Sequence, residues 1–117
     1  MEIINSLSSN KAHGCDGISV VMLKICANEV AIPLKMIFED CLNVGVFPDC
    51  WKYANVQPIH KKFNRQIKSF YRPVLLLPVC GKIFEKIIFD QVYSFLNTNN
   101  LISKNQSGFR PGESTIY

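Results

Sequence analysis

The chain has 117 residues, 48% of them hydrophobic and 19% charged, with a formal net charge of +4. That length and balance describe one globular domain or part of one, and they exclude a disordered tail. The charge is unevenly placed: residues 1–49 carry six acids and three bases, residues 50–84 seven bases and no acid, and residues 85–117 three of each. A positive field confined to the middle third favours a polyanionic partner such as nucleic acid or a nucleoside triphosphate.

The five cysteines (Cys15, Cys26, Cys41, Cys50, Cys80) form no CxxC pair and there are only two histidines, so neither a zinc site nor a disulfide framework is expected. Three of the cysteines fall at apolar helix-face or strand-adjacent positions, where cysteine acts as a small buried hydrophobe, in a reducing compartment. The opening MEIINSLSSNK has an acid at position 2 and no long apolar run, unlike a signal peptide. The uncharged run from Val74 to Val79 is too short to span a bilayer. The expectation is a soluble, intracellular chain with no membrane partner.

In chain order, Ile3, Ile4 and Leu7 share one face of a short N-terminal helix. The segment SSNKAHGCDG then reads as an ordered loop. Ile18, Val21, Met22 and Ile25 follow i, i+3, i+4, i+7 and predict a one-faced helix ending near Asn28. A second helix follows, with Pro33 in its first turn, an apolar stripe of Leu34, Ile37, Phe38, Cys41 and Leu42, and Gly45 as its stop. The two helices are expected to pack as a hairpin. Tyr53 to His60 and Tyr71 to Leu77 read as strands, with Pro58 confining the first to an edge or a bulge. The polar, basic stretch from Lys61 to Ser69 between them reads as a mobile tip, giving a basic β-hairpin. Pro78 opens a long amphipathic helix whose apolar face is Phe84, Ile87, Ile88, Val92, Phe95 and Leu96, ended by TNN. The remainder is loop-like. The fold class is therefore α+β.

Four constellations bear on chemistry. Lys61 and Arg72 lie at opposite ends of the hairpin loop, which brings a compact cation and a bidentate fork within reach of one anion. A charged tip can also be simply solvated, but ordinary solvated loops mix signs and this one holds no acid. In KAHGCDG the two glycines flanking Cys15-Asp16 either expose backbone N–H groups to an anion or permit a turn while Asp16 caps the next helix; the second reading is favoured. Glu39-Asp40 is the one adjacent acidic pair, on the polar side of a helix, and Asp16, Asp49 and Asp90 stand alone, so no metal site is expected. His13 and His60 have no nucleophile and carboxylate arranged beside them. In GFRPG, Phe109 and Arg110 either stack on a base and touch a phosphate, or form a turn with Phe109 plugging the core.

These segments resemble, in order and spacing, the reverse transcriptases of non-LTR, LINE- or jockey-like retrotransposons. KAHGCDGI resembles the family's K-A-P-G-x-D-G-I, with His13 in place of proline. FPDCWKYANVQPIHKK is similar to F-P-x-x-W-K-x-A-x-V-x-P-I-x-K-K. FYRPVLLLPVCGKIFEKII is similar to N-Y-R-P-I-S-L-L-P-V-x-S-K-I-F-E-K-I-I, departing at Phe70, Leu75 and Gly81. LISKNQSGFRPGEST resembles L-I-S-x-x-Q-F-G-F-R-P-G-x-S-T, with Ser107 replacing an aromatic.

The resemblance implies that residues 1–117 are a partial reverse transcriptase domain, the fingers and the start of the palm of a right-hand polymerase. It implies that Lys61, with Lys62 beside it, and Arg72 contact the triphosphate of an incoming deoxynucleotide. It places Phe109 and Arg110 against an RNA or DNA template–primer. Family catalysis uses two Mg²⁺ ions held by aspartate motifs that follow G-F-R-P-G, and this sequence contains no Asp-Asp pair. Mg²⁺ is thus expected for the full-length parent and not for this chain, which is expected to lack catalytic residues, to need the parent's palm domain, and not to polymerise by itself. The rival readings are a non-catalytic nucleic-acid-binding module and a non-functional relic.

Overall fold

A computed structural model of the protein describes residues 2–103, 105–110 and 112. Among them are four α-helices and one two-stranded antiparallel sheet, in the order α1 (Glu2–Ser6), α2 (Val20–Ile25), α3 (Ala27–Val44), β1 (Asn55–His60), β2 (Tyr71–Leu76) and α4 (Val79–Thr98). This mixture is an α+β architecture. The chain divides into two units, Met1–Glu85 and Lys86–Tyr117, with α4 running from the first into the second.

The first unit is assembled around an aromatic cluster. Phe38 of α3 stacks on Phe84 of α4 at 5.0 Å between ring centroids. Phe47 and Trp51, from the segment after α3, close on Phe84 at 5.8 and 6.0 Å. Offset and edge-on rings at such separations add to the burial of their large apolar area. Pro78, Val79, Cys80, Ile83 and Phe84, at and just after the start of α4, are all buried, as are Ile4, Val20, Leu23 and Ala27.

Four helix expectations need correction. The face of α2 that packs inward carries Val20 and Leu23, continued by Ala27. Val21, Met22 and Ile25 point outward, Ile25 being 77% exposed. In a run as apolar as VVMLKI two phases satisfy the helical period, and contact with α1 and α3 selects between them. The boundary between the two helices lies at Cys26, whose backbone closes α2 and opens α3. The expected helical hairpin is therefore a one-residue corner, shorter than the loops that reverse a helix pair. Pro33 lies inside α3 and not in its first turn; it has no N–H to donate, so the ring removes one helical hydrogen bond. Of the expected α3 stripe, Phe38 is buried, Leu34 and Cys41 are half-buried, and Ile37 and Leu42 are exposed.

Gly45 ends α3 as expected. It takes a left-handed φ of +70°, and the Gly45 and Val46 amides donate to Leu42 and Cys41 carbonyls. Asn100 plays the same part after α4 with φ +54°, where Leu101 donates to the Leu96 carbonyl at 2.9 Å. Both satisfy carbonyls that a helix end would otherwise leave open.

In the second unit α4 carries a Lys86–Asp90 ion pair, Lys86 over the Phe89 ring at 5.5 Å, and Phe89 stacked on Tyr93 at 5.4 Å. Of the face expected to be apolar and covered, Ile87, Ile88 and Leu96 are half-buried, whereas Val92 and Phe95 are exposed. Burial on α4 is concentrated in its opening turns. No described helix is long and apolar enough to cross a membrane.

The five cysteines are free. Only Cys80 is buried and Cys41 is half-buried, while Cys15, Cys26 and Cys50 are exposed, which corrects the expectation of three buried thiols. Burial pushes the Cys80 thiol up from its ordinary range, with Asp16 and Cys50 adding to the shift. Thiolate is the reacting form, so alkylation of the native chain at pH 8 should label Cys15, Cys26 and Cys50 well before Cys80. Mass spectrometry of time points checks this, and equal labelling of Cys80 would show that the start of α4 is open.

Candidate functional site

The hairpin owes its geometry to its register. Asn55 faces Leu76, Pro58 faces Pro73, Ile59 faces Arg72 and His60 faces Tyr71. Lys61 adds one rung by donating its amide to the Phe70 carbonyl at 2.8 Å. Bonded and non-bonded rungs alternate in an antiparallel pair. With Lys61–Phe70 bonded, Ile59–Arg72 is bonded and Pro58–Pro73 is not. The two prolines therefore sit at the rung where neither strand donates inward, so the ladder loses nothing to them and the outer edges are blunted.

The same alternation sets the faces. His60, Tyr71, Pro58 and Pro73 share one side, and the rings of His60 and Tyr71 meet edge-on at 5.2 Å. Ile59, Lys61, Phe70 and Arg72 share the other. Lys61 and Arg72 are diagonal neighbours there, a step of about 7–8 Å between backbones that long side chains easily bridge.

The connection expected as a mobile tip from Lys61 to Ser69 contains a series of hydrogen-bonded turns. The Asn64 side chain accepts from the Gln66 amide at 2.9 Å, Ile67 donates to the Asn64 carbonyl, and Lys68–Phe70 make one 3-10 turn. The Tyr71 hydroxyl donates to the Arg65 carbonyl at 2.9 Å, fastening the loop to the strand. Such local side-chain bonds to backbone are what Asn supplies in turns.

Strand faces and turns together form a cleft of about 440 Å³ lined by His60, Lys61, Lys62, Phe63, Ser69, Phe70 and Arg72. All three residues assigned to the triphosphate, Lys61, Lys62 and Arg72, thus line one cavity. No carboxylate lines it. Among the described residues, the ion pairs are Lys35–Glu39, Lys52–Asp49 and Lys86–Asp90, none of which involves a cleft cation. Lys52 belongs to the seven-base stretch but is engaged elsewhere: it bonds Asp49 at 2.7 Å and holds that carboxyl below its usual range. The positive field is accordingly carried by the hairpin.

The buried Nε2 of His60 has no hydrogen-bond partner among the described residues. Sequence reading missed Phe63 and Phe70 as lining residues. Their rings meet at 5.4 Å, and Phe63 has a left-handed φ of +71° while 80% exposed. Aromatic residues interleaved with the basic ones were the available signal.

Other candidates resolve as follows. Asp16 does not cap α2. Its carboxylate accepts from the Ile18 amide at 3.2 Å within the loop, and Ser19 caps the helix through the Met22 amide. Gly17 takes φ +72°, whereas Gly14 is needed because its Cα lies against the Leu77–Pro78 backbone. In the second unit Phe109 is 99% exposed with φ +62°, so it does not plug a core; Arg110 is half-buried. Pro111 of the same motif lies outside the described residues. Among the described residues no group of three or more His, Cys, Asp or Glu converges.

No family model matches the chain. Curated proteins do. The chain is 33% identical over 98% of its length to the Drosophila melanogaster protein named "Probable RNA-directed DNA polymerase from transposon X-element". It is 31% identical over 99% to the corresponding protein of transposon BS, and 36% identical over 92% to the "RNA-directed DNA polymerase from mobile element jockey", both from the same organism. It spans 12–13% of the length of these relatives. Over nearly all of its residues, then, the chain belongs to the reverse transcriptase family of non-LTR, jockey-like retrotransposons, of which it corresponds to one segment.

Proposed function

We propose that the chain is the fingers and the start of the palm of a retrotransposon RNA-directed DNA polymerase, and that its hairpin cleft grips the triphosphate of an incoming deoxynucleotide. The observation that carries this reading is the cleft itself: Lys61, Lys62 and Arg72 line it together and no acid does. Arg72 supplies a planar fork for two phosphate oxygens, and the two lysines supply compact charges for the others. Phe109 and Arg110 are assigned to the template–primer. The relatives are named as RNA-directed DNA polymerases, and such transfer chemistry would draw on Mg²⁺ held by carboxylates. The partners implied are a deoxynucleoside triphosphate, an RNA or DNA template–primer, and the palm of the parent polymerase.

The test is calorimetric titration of the chain with a deoxynucleoside triphosphate and with the matching monophosphate at low salt. The triphosphate is expected to bind more tightly, and the affinity to fall as salt screens these exposed charges. The combined variant Lys61→Ala, Lys62→Ala, Arg72→Ala is expected to lose about tenfold or more in affinity, given charge-assisted bonds discounted for exposure. Equal binding of the two nucleotides, or unchanged binding by the variant, would overturn the assignment.

A further inference from the structure

Two features of the hairpin are not used by a triphosphate grip. One is the Phe63 ring, at the cleft wall yet 80% exposed and supported on one side by Phe70. The other is the pair of cations Arg65 and Lys68, exposed on the loop and outside the cleft lining. Phe63 is also held at φ +71°, a conformation that is an outlier for a bulky side chain and persists where surrounding structure enforces it. Here the enforcing contacts are the Asn64 turn and the Tyr71–Arg65 bond on its C-terminal side and the Lys61 rung before it. The outcome is an aromatic face presented to solvent amid cations, where hydrophobic burial alone would have turned it inward.

We propose that Phe63 is a stacking platform for a base of a single-stranded nucleic acid whose backbone is drawn along Arg65 and Lys68 beside the cleft. The ligand must bring a flat apolar face and repeated negative charge together. A single strand does so at every nucleotide, whereas a duplex keeps its base faces stacked on each other. Five cations between Lys61 and Arg72 also exceed what one triphosphate occupies, and a phosphodiester backbone accounts for the two outside the cleft. The proposal rests on reading this hairpin as a phosphate-binding surface, and it adds the base contact.

The experiment measures fluorescence anisotropy of the full chain with a labelled single-stranded oligodeoxynucleotide, an abasic oligomer of equal length and a blunt duplex. Phe63→Gly removes the ring and also the backbone strain, since glycine takes positive φ freely. It is expected to bind the base-bearing strand about tenfold more weakly, the usual worth of one stacked base, to bind the abasic oligomer as before, and to melt no earlier than the parent. Phe63→Trp is expected to restore the affinity. Unchanged affinity in Phe63→Gly, with phosphate binding intact, overturns the stacking platform alone. An earlier melt with equal losses on both oligomers makes Phe63 a brace for the loop and overturns it too. Failure of the parent to bind either the triphosphate or the abasic oligomer overturns both the platform and the cleft.

Discussion

Phe84→Ala should lower the stability of the chain by about 3–5 kcal/mol, the cost of truncating a fully buried Phe. Phe84 is 2% exposed and meets three rings, Phe38, Phe47 and Trp51, between 5.0 and 6.0 Å away. Those rings come from α3, from the segment after it and from the 3-10 turn Asp49–Trp51. No single neighbour can move to fill the space without leaving the others. A domain of this size has roughly 5–15 kcal/mol in all, so the variant stands at the edge of folding. At about 4 °C or more per kcal/mol, its melting midpoint falls by at least about 12 °C. Val92→Ala on the same helix is the control: Val92 is 52% exposed, and its loss is expected to cost about 0.5 kcal/mol or less. Thermal melts followed by circular dichroism compare them. Matching midpoints would mean that the aromatic cluster is not what holds the first unit together.

Which parts of this structure the sequence announces depends on whether local chemistry or distant contact decides them. Gly45 and the Asn-rich end of α4 were readable because a helix stop needs a left-handed residue and few side chains supply one. The hairpin was readable because two β-prone runs flank a polar stretch, and its register then placed Lys61 and Arg72 on one face. The inward face of α2 was not readable: Val20, Val21, Met22, Leu23 and Ile25 are all apolar, and only packing against α1 and α3 distinguishes Val20 and Leu23 from the rest. The extent of α3 was misjudged because Pro33 usually marks a first turn, yet the helix accepts the lost bond and begins at Ala27. At the site, charge singled out the cations but could not find Phe63. Its role follows from a backbone angle, and nothing in the side chain of a phenylalanine signals a positive φ.

Gly14→Ala is the second large effect, and it joins the fold to the site. A Cβ at Gly14 would lie 2.4 Å from the Pro78 nitrogen and 2.7 Å from the Leu77 carbonyl carbon and the Pro78 Cα. All three are backbone atoms, so no rotamer change relieves the clash. Either the Lys11–Gly17 loop lifts or the start of α4 shifts, and Pro78 and Val79 there are the most completely buried side chains. Forcing such a shift costs about 3 kcal/mol, the upper part of the usual range for overpacking. Gly17→Ala separates this from backbone strain. It meets nothing within 4 Å but has φ +72°, so it should cost about 1 kcal/mol. Gly81→Ala is milder than Gly14→Ala, because its Cβ meets the Trp51 Cβ and Cγ at 3.1 and 3.4 Å and a backbone atom, the Trp51 oxygen, only at 3.7 Å, and helix propensity gains nearly 1 kcal/mol in return. Leu77 follows directly on β2, the strand that carries Arg72. Displacing the Leu77–Pro78 backbone therefore pulls on the cleft from its far end, and Gly14→Ala should weaken triphosphate binding although Gly14 does not line the cleft. Melts and nucleotide titrations of the three variants give the ranking, and a Gly14→Ala chain that melts with Gly17→Ala and binds like the parent would show that the loop and the β2–α4 junction are not coupled.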